Sequence, residues 1–172
     1  IRLQSGEQLD ADIIVRATGL KLLLLGGMQV SVDGRPVNFA DTFGYKGMMF
    51  SGVPNLAVAF GYTNASWTLK ADLSSEFVCR LLKHMQAKGK PVVVPLLDDP
   101  HLPATPWLDF TSGYVVRAMQ QFPKQGNRLP WKLHQNYLKD LILLKYSRLE
   151  DGVLRFCGTQ VSDVTATNHQ AD

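Results

Sequence analysis

A chain of 172 residues with 45% hydrophobic and 19% charged residues has globular composition, which excludes a disordered or fibrous protein. Its formal charge of +3 comes from 18 Lys and Arg scattered among 15 Asp and Glu, so no basic footprint for nucleic acid or anionic lipid stands out. Cys79 and Cys157 lack CxxC spacing or a His at ligand spacing, which argues against a disulfide framework or a zinc site and for a reducing, cytoplasmic setting.

The apolar runs, such as Leu20 to Met28 interrupted by Lys21, fall well short of the about 20 residues a membrane span requires, so no transmembrane segment is expected. The chain opens on Ile1-Arg2-Leu3 without a starting Met or a signal-peptide pattern, and reads as part of something longer. Ser5-Gly6 splits two short runs, predicting a hairpin that feeds a buried strand at Asp12-Ile13-Ile14-Val15. Ala17-Thr18-Gly19 follows, where small residues let the backbone pass close to another segment or a ligand.

From Gln29 to Phe39, Val30 and Val32 alternate with polar residues, Asp33-Gly34 is a two-residue turn of type I′, and Val37 and Phe39 resume the pattern, so a second hairpin is predicted. Gly52-Val53-Pro54-Asn55 reads as a turn and Leu56 to Phe60 as a central strand. After Asn64 the period changes. Leu69, Leu73, Phe77, Leu81 and Met85 recur every four residues, with Trp67, Val78 and Leu82 on the same broad face, predicting a long amphipathic helix. Asn64 or Ser66 suits its N-cap and Gly89 its C-terminal stop.

Val92-Val93-Val94 is a short strand, Asp98 to Pro106 an irregular connection, Gly113 to Phe122 a short helix, and Pro123 to Pro130 a basic loop. Trp131 to Tyr146 reads as a further helix, and Leu149 to Phe156, around Glu150-Asp151-Gly152, as a last hairpin. From Gly158 the periodicity vanishes and a disordered tail is expected.

The feature with chemical content is the segment Phe60-Gly61-Tyr62-Thr63-Asn64-Ala65-Ser66-Trp67, a strand end and small polar residues running into a helix. A helix N-terminus offers unpaired N–H groups and partial positive charge, which suit an anion or an electron-rich ring edge. An ordinary capped helix packed on a sheet has the same local sequence. His84 and His134 lack a spaced carboxylate or second His and read as surface or locally hydrogen-bonded residues, and no Ser sits in a GxSxG elbow. The five methionines read as core filler, and Lys124, Arg128 and Lys132 as a solvated loop.

Asp10 to Gly19 resembles the strand and Ala-Thr-Gly turn of two-dinucleotide flavoproteins. Tyr45-Lys46-Gly47-Met48-Met49, Gly52 to Leu56, Gly61 to Lys70, Pro123 to Gly126, Pro130-Trp131 and Gln135 to Leu138 resemble, in that order, the flavin-dependent Baeyer-Villiger monooxygenases, and within them the ethionamide-activating branch. The resemblance runs from Ile1 to about Phe156. It implies an α/β fold, the C-terminal portion of a two-dinucleotide-binding, Rossmann-like flavoprotein. NADPH would reduce FAD, and the reduced flavin would take up O2 as a peroxide that oxygenates a ketone or thio-compound.

On that resemblance residues 1–40 end the NAD(P)H-binding segment, 41–90 return to the FAD-binding domain, 91–157 form a helical and hairpin extension, and 158–172 the tail. Ala17, Thr18, Gly19, Gly61, Tyr62, Thr63, Asn64 and Ala65 are then the cofactor-binding candidates, and Tyr45, Met48 and Met49 the substrate-side ones. The partners implied are a small organic substrate, O2 and a missing N-terminal half carrying the phosphate-binding glycine turns, the His- and Trp-containing fingerprint and an active-site Arg. Gly26-Gly27 is no substitute for those turns, and Arg16 stands where a small or hydroxyl residue is expected, a charge that needs a partner if buried. A non-catalytic α/β binding module on the same scaffold is the alternative. Because the missing half would normally cover one side of the helix and sheet, a partly exposed apolar surface is expected.

Overall fold

A computed structural model describes residues 1–108 and 111–158, so the expected tail falls almost wholly outside the described residues. The scaffold is a 22-residue helix, α1 (Trp67–Lys88), which buries Leu73, Phe77 and Leu81 together with Lys70 and Ser74. Leu69, Leu82 and Trp67 are exposed, so the buried stripe is narrower than the four-residue repeat predicts and is not purely apolar. Gly89 ends the helix in the left-handed conformation, φ 60°, where a Cβ is costly, as the sequence predicts. Ser66 occupies the N-cap without a side-chain bond to the helix, its Oγ sharing a 2.7 Å hydrogen bond with Thr68 Oγ1.

The sheets are small. Strands β1 (Ser31–Val32) and β2 (Arg35–Pro36) form the predicted second hairpin, with Asp33 and Gly34 both at positive φ, the requirement of a type I′ turn. β3 (Gly44–Tyr45) pairs with β4 (Met49–Phe50), β5 (Val92–Pro95) with β8 (Leu154–Cys157), and β6 (Thr105–Pro106) with β7 (Lys124–Gln125). Every one of these sheets is two-stranded and antiparallel, so the fold is a mixture of helix and small antiparallel sheets rather than a parallel Rossmann layer among the described residues.

Several expectations are corrected. The first hairpin is reduced to one bridge between Arg2 and Gln8, and Asp12 to Val15 is extended, unpaired and exposed, because a strand forms only where a neighbour completes its hydrogen bonds. Leu56 to Phe60 is likewise no strand and alternates between half-buried and exposed. The predicted helix at Trp131 starts only at α3 (Tyr137–Leu141), where the Asn136 side chain accepts from the Lys139 amide, and it continues as a π-helical turn, Ile142–Tyr146. Gly113 to Phe122 is the expected short helix, α2 (Gly113–Ala118), extended by a 3₁₀ turn, Met119–Gln121.

The expected terminal hairpin is not one. β8 pairs with β5, about sixty residues away in sequence, and Asp151 in the preceding turn accepts from the Val153 and Leu154 amides at 3.1 and 3.0 Å. The other oxygen of Asp151 accepts from the Tyr45 hydroxyl at 2.7 Å and lies 3.4 Å from the Lys46 ammonium, a lysine only 2% exposed. Lys46 also donates to Ser147 Oγ at 3.0 Å, while Arg80 of α1 donates to the Leu144 and Ser147 carbonyls. These polar contacts clamp β3, α1 and the C-terminal segment around a core that contains Phe77, Met48, Met49 and Trp131.

Burial pushes the Asp151 carboxyl up, but the Tyr45 hydroxyl, the Leu154 amide, Lys46 and the Val153 amide outweigh it and hold it below its ordinary 3.8. Stability from this group is therefore complete above 3.8 and is lost as pH falls through the lower folded value. Asp151→Asn leaves the Lys46 charge uncompensated and is expected to cost about 3 kcal/mol in urea denaturation at neutral pH. The same titration repeated down to acid pH should show a shallower acid loss in the variant than in the parent.

Candidate functional site: the turn at the start of α1 and its cavity

The turn that precedes α1 is held by packing at one end and by hydrogen bonds at the other. A Cβ built on Gly61 would lie 2.2 Å from the Trp67 ring, so the indole rests on backbone that only glycine leaves free. Gln135, itself at φ 49°, reaches back across the turn. Its Oε1 accepts from the Thr63 amide at 3.0 Å and the Thr63 hydroxyl at 3.3 Å, and its carbonyl accepts from the Asn64 side chain at 3.3 Å. The Thr63 amide is thereby used within the chain. Gln135 stood in the sequence resemblance, but no local spacing tied it to residue 63.

Beneath the turn, Lys70 and Asp140 form an ion pair of 2.9 Å with both side chains 4% exposed, and the Lys70 ammonium lies 5.7 Å from the Tyr62 ring centroid. Burial lowers the Lys70 pKa against the pull of Asp140. The Tyr62 hydroxyl is buried and completes no well-formed hydrogen bond; burial first, and then the neighbouring Asp140, raise its pKa so that it stays a neutral phenol. Burial, then Lys139, lower that of His134, which is a neutral imidazole at neutral pH.

Phe60, Tyr62, Thr63 and Trp67 line a cavity of about 450 Å³ together with Trp107, Leu108, Tyr114, Val115 and Leu22 to Leu25. The rings are in mutual contact, Phe60 with Trp67 at 5.3 Å and with Trp107 at 6.1 Å between centroids. Thr18 and Gly19 line a neighbouring, more polar cavity with Lys21, Tyr114 and Arg117. Of the predicted residues, Tyr62 and Thr63 line the first cavity and Thr18 and Gly19 the second, with Tyr114 bordering both, whereas Ala17, Gly61, Asn64 and Ala65 line neither. Trp107 and Tyr114 carried no sequence signal beyond being aromatic.

The substrate-side expectation fares differently. Tyr45, Met48 and Met49 are at most 1% exposed and belong to the main core, where the β3–β4 hairpin turns their side chains toward Phe77 and Trp131. None lines the apolar cavity. Arg16 is exposed and needs no buried partner. His84 does meet a carboxylate, Glu150 at 3.1 Å, supplied by the chain's far end rather than by local spacing, and it packs edge-on to Phe156. Met28 is exposed, unlike the core methionines, and Ile13, Ile14, Val15 and Leu20 leave the expected uncovered apolar surface at the start of the chain. Among the described residues no cluster of metal-ligating side chains occurs, and no helix is long and apolar enough to cross a membrane.

The same turn sits within the part of the chain that matches known proteins. The chain is 53% identical over 156 residues to the FAD-containing monooxygenase EthA of Mycobacterium tuberculosis, a match covering 91% of this chain. It is related to the FAD-containing monooxygenases. Identity is 50% to EthA of Mycolicibacterium smegmatis and 47% to the probable FAD-binding monooxygenase AlmA of Acinetobacter baylyi, again over 91% of the chain. The chain spans about a third of the length of these relatives, 32% in each case. No protein-family model matches it, and no solved structure does.

Gly61→Ala drives a methyl into the Trp67 ring, and such overpacking is expected to cost about 1–3 kcal/mol. Urea denaturation of Gly61→Ala beside Gly61→Ala/Trp67→Ala checks it: removing the indole should recover most of the loss, a rescue that a general backbone effect at residue 61 would not show.

Proposed function

We propose that this chain is part of an FAD- and NADPH-dependent monooxygenase of the Baeyer-Villiger type, which uses NADPH and O2 to oxygenate ketones or thio-compounds. The reading rests on one coincidence. In a chain 53% identical to FAD-containing monooxygenases, the Gly61–Ala65 turn, the N-terminus of α1 without a side-chain cap, and an aromatic-walled cavity of about 450 Å³ fall at one place. Residues 1–40 would end the NAD(P)H-binding segment, 41–90 return to the FAD-binding domain and 91–157 extend it, with the phosphate-binding glycine turns of a Rossmann-like architecture carried by sequence outside these residues. The working compartment would be the reducing cytoplasm.

The residues present fit the ring end of a flavin. The first turn of α1 directs partial positive charge outward, which suits the electron-rich edge of the ring system, and Phe60, Trp67 and Trp107 supply apolar walls that keep water out. When bound, FAD supplies the redox chemistry and the activation of oxygen. The protein's share is positional. Gln135 holds the turn's conformation through Thr63 and Asn64, Lys70 and Asp140 support it from below, and Thr18 and Gly19 line the neighbouring cavity that shares Tyr114. Thr63 would act as part of a preformed loop rather than as an amide donor, since Gln135 already takes that amide.

The test is made on the longer protein that carries this segment. It is expected to purify with bound FAD and to oxidise NADPH with matching O2 uptake when a ketone is added. Gln135→Ala should lower FAD occupancy several-fold with the far-ultraviolet circular dichroism unchanged. A longer protein that neither retains nor takes up flavin would end this reading in favour of a non-catalytic binding module.

A further inference from the structure

The small net charge of the whole chain conceals a local excess. From Lys132 to Leu149 the basic residues are Lys132, Lys139, Lys145 and Arg148, and the only acidic one is Asp140, buried against Lys70. Lys145 is answered by Glu76 of α1 at 3.0 Å, whereas Lys132, Lys139 and Arg148 are exposed and form no ion pair among the described residues. The same stretch carries an uncovered apolar face. Along α3 and the π-helical turn that continues it, Asp140 and Leu144 are buried, but Leu138, Ile142 and Tyr146, at every fourth position, are 67%, 66% and 69% exposed. Ile142 and Tyr146 meet Leu129, His134 and Lys139 around one open depression, which ends at Ser147, next to Arg148. Lys139 and Lys132 stand close enough to His134 that their charges, after burial, lower its pKa.

We infer that this face is a docking surface for an anionic lipid bilayer, with Leu138, Ile142 and Tyr146 entering the headgroup region and Lys132, Lys139 and Arg148 meeting lipid phosphates. Apolar side chains along one helical face, bordered by Lys and Arg, are the pattern of a segment that lies in the plane of an interface. A tyrosine suits that depth, having an apolar ring and a polar tip. The contact lies on the membrane and not through it, since no helix among the described residues is long and apolar enough to cross one. A second copy is a poorer occupant, because two such faces would bring unpaired cations together. An acidic protein would answer the charges, but apolar tips that stand clear at successive turns are what a bilayer accepts without a shaped counterpart. The inference is independent of the monooxygenase reading, as no cofactor or reaction enters it.

The experiment uses the longer protein that carries this segment, sedimented with vesicles of phosphatidylcholine alone and of phosphatidylcholine mixed with phosphatidylglycerol. Binding to the anionic vesicles should be at least about tenfold tighter and should weaken as salt is raised. Lys132→Gln/Lys139→Gln should lose at least about fivefold on those vesicles. Leu138→Gln/Ile142→Gln should lose at least about fivefold as well, and both should keep the circular dichroism of the parent because all four side chains are exposed. Arg35→Gln, which removes an exposed cation from the β1–β2 hairpin, should change binding by less than about twofold. In Tyr146→Trp, the added indole should be quenched by brominated lipid in the anionic vesicles beyond the quenching of the parent's tryptophans.

No binding to anionic vesicles, equal binding to both compositions, or a loss as large in Arg35→Gln as in the paired lysine variant overturns the inference. So does an indole at position 146 that stays unquenched while vesicles are bound, which would put the contact elsewhere. If the glutamine variants misfold, the comparison of vesicle compositions and the indole quenching still decide. Retention by an acidic protein without vesicle binding would reassign the face to a protein partner and likewise overturn the proposal.

Discussion

A lysine ammonium taken out of water needs a counter-charge, and this chain buries two. Lys46 is met by Asp151 and Lys70 by Asp140, and in both cases the aspartate comes from the C-terminal third while the lysine belongs to the first half of the chain. Neither pair is a net gain over a well-packed hydrophobic contact, because desolvation consumes much of the attraction. What each does is forbid alternatives. If the C-terminal segment lay elsewhere, two charges would be stranded inside the core, so its position over α1 is fixed by the penalty for any other placement.

The cavity depends on that placement. Gln135 reaches Thr63 from the same segment that Asp140 anchors to Lys70. The Gly61–Asn64 turn is therefore shaped from outside its own sequence, while its own contribution is the missing Cβ that admits Trp67. From there the aromatic wall follows: Trp67 sets Phe60, and Phe60 meets Trp107. The same arrangement buries the hydroxyl of Tyr62 close to the Lys70 ammonium.

Elements whose cause is local were legible in the sequence. The Asp33-Gly34 turn, the Gly89 terminator, the strand at Val92 and the short helix at Gly113 each rest on propensities or on one special backbone conformation. Elements that need a distant partner were not. Asp12 to Val15 and Leu56 to Phe60 have strand-like composition but find no ladder, whereas Leu154–Cys157 pairs with Val92–Pro95 across a separation that no local pattern encodes. The site divides the same way. Tyr62 and Thr63, which line the cavity, lay in the turn that the sequence singled out before the helix, while Trp107, Tyr114 and the latch from Gln135 came from the tertiary structure. Tyr45, Met48 and Met49 lie in the main core, a placement that motif position could not give because it says nothing about which way a hairpin faces.

Tyr114 is a partition. It borders both the uncharged cavity and the polar one, and it abuts Gly19, at φ 79°, whose added Cβ would lie 3.4 Å from the ring. The two spaces of about 450 and 500 Å³ share Tyr114, braced against bare backbone, and Leu22 as their common border. A family of chains built on this plan could change the length and polarity of what it accommodates by altering Tyr114 and Leu22, leaving the main core and both ion pairs untouched.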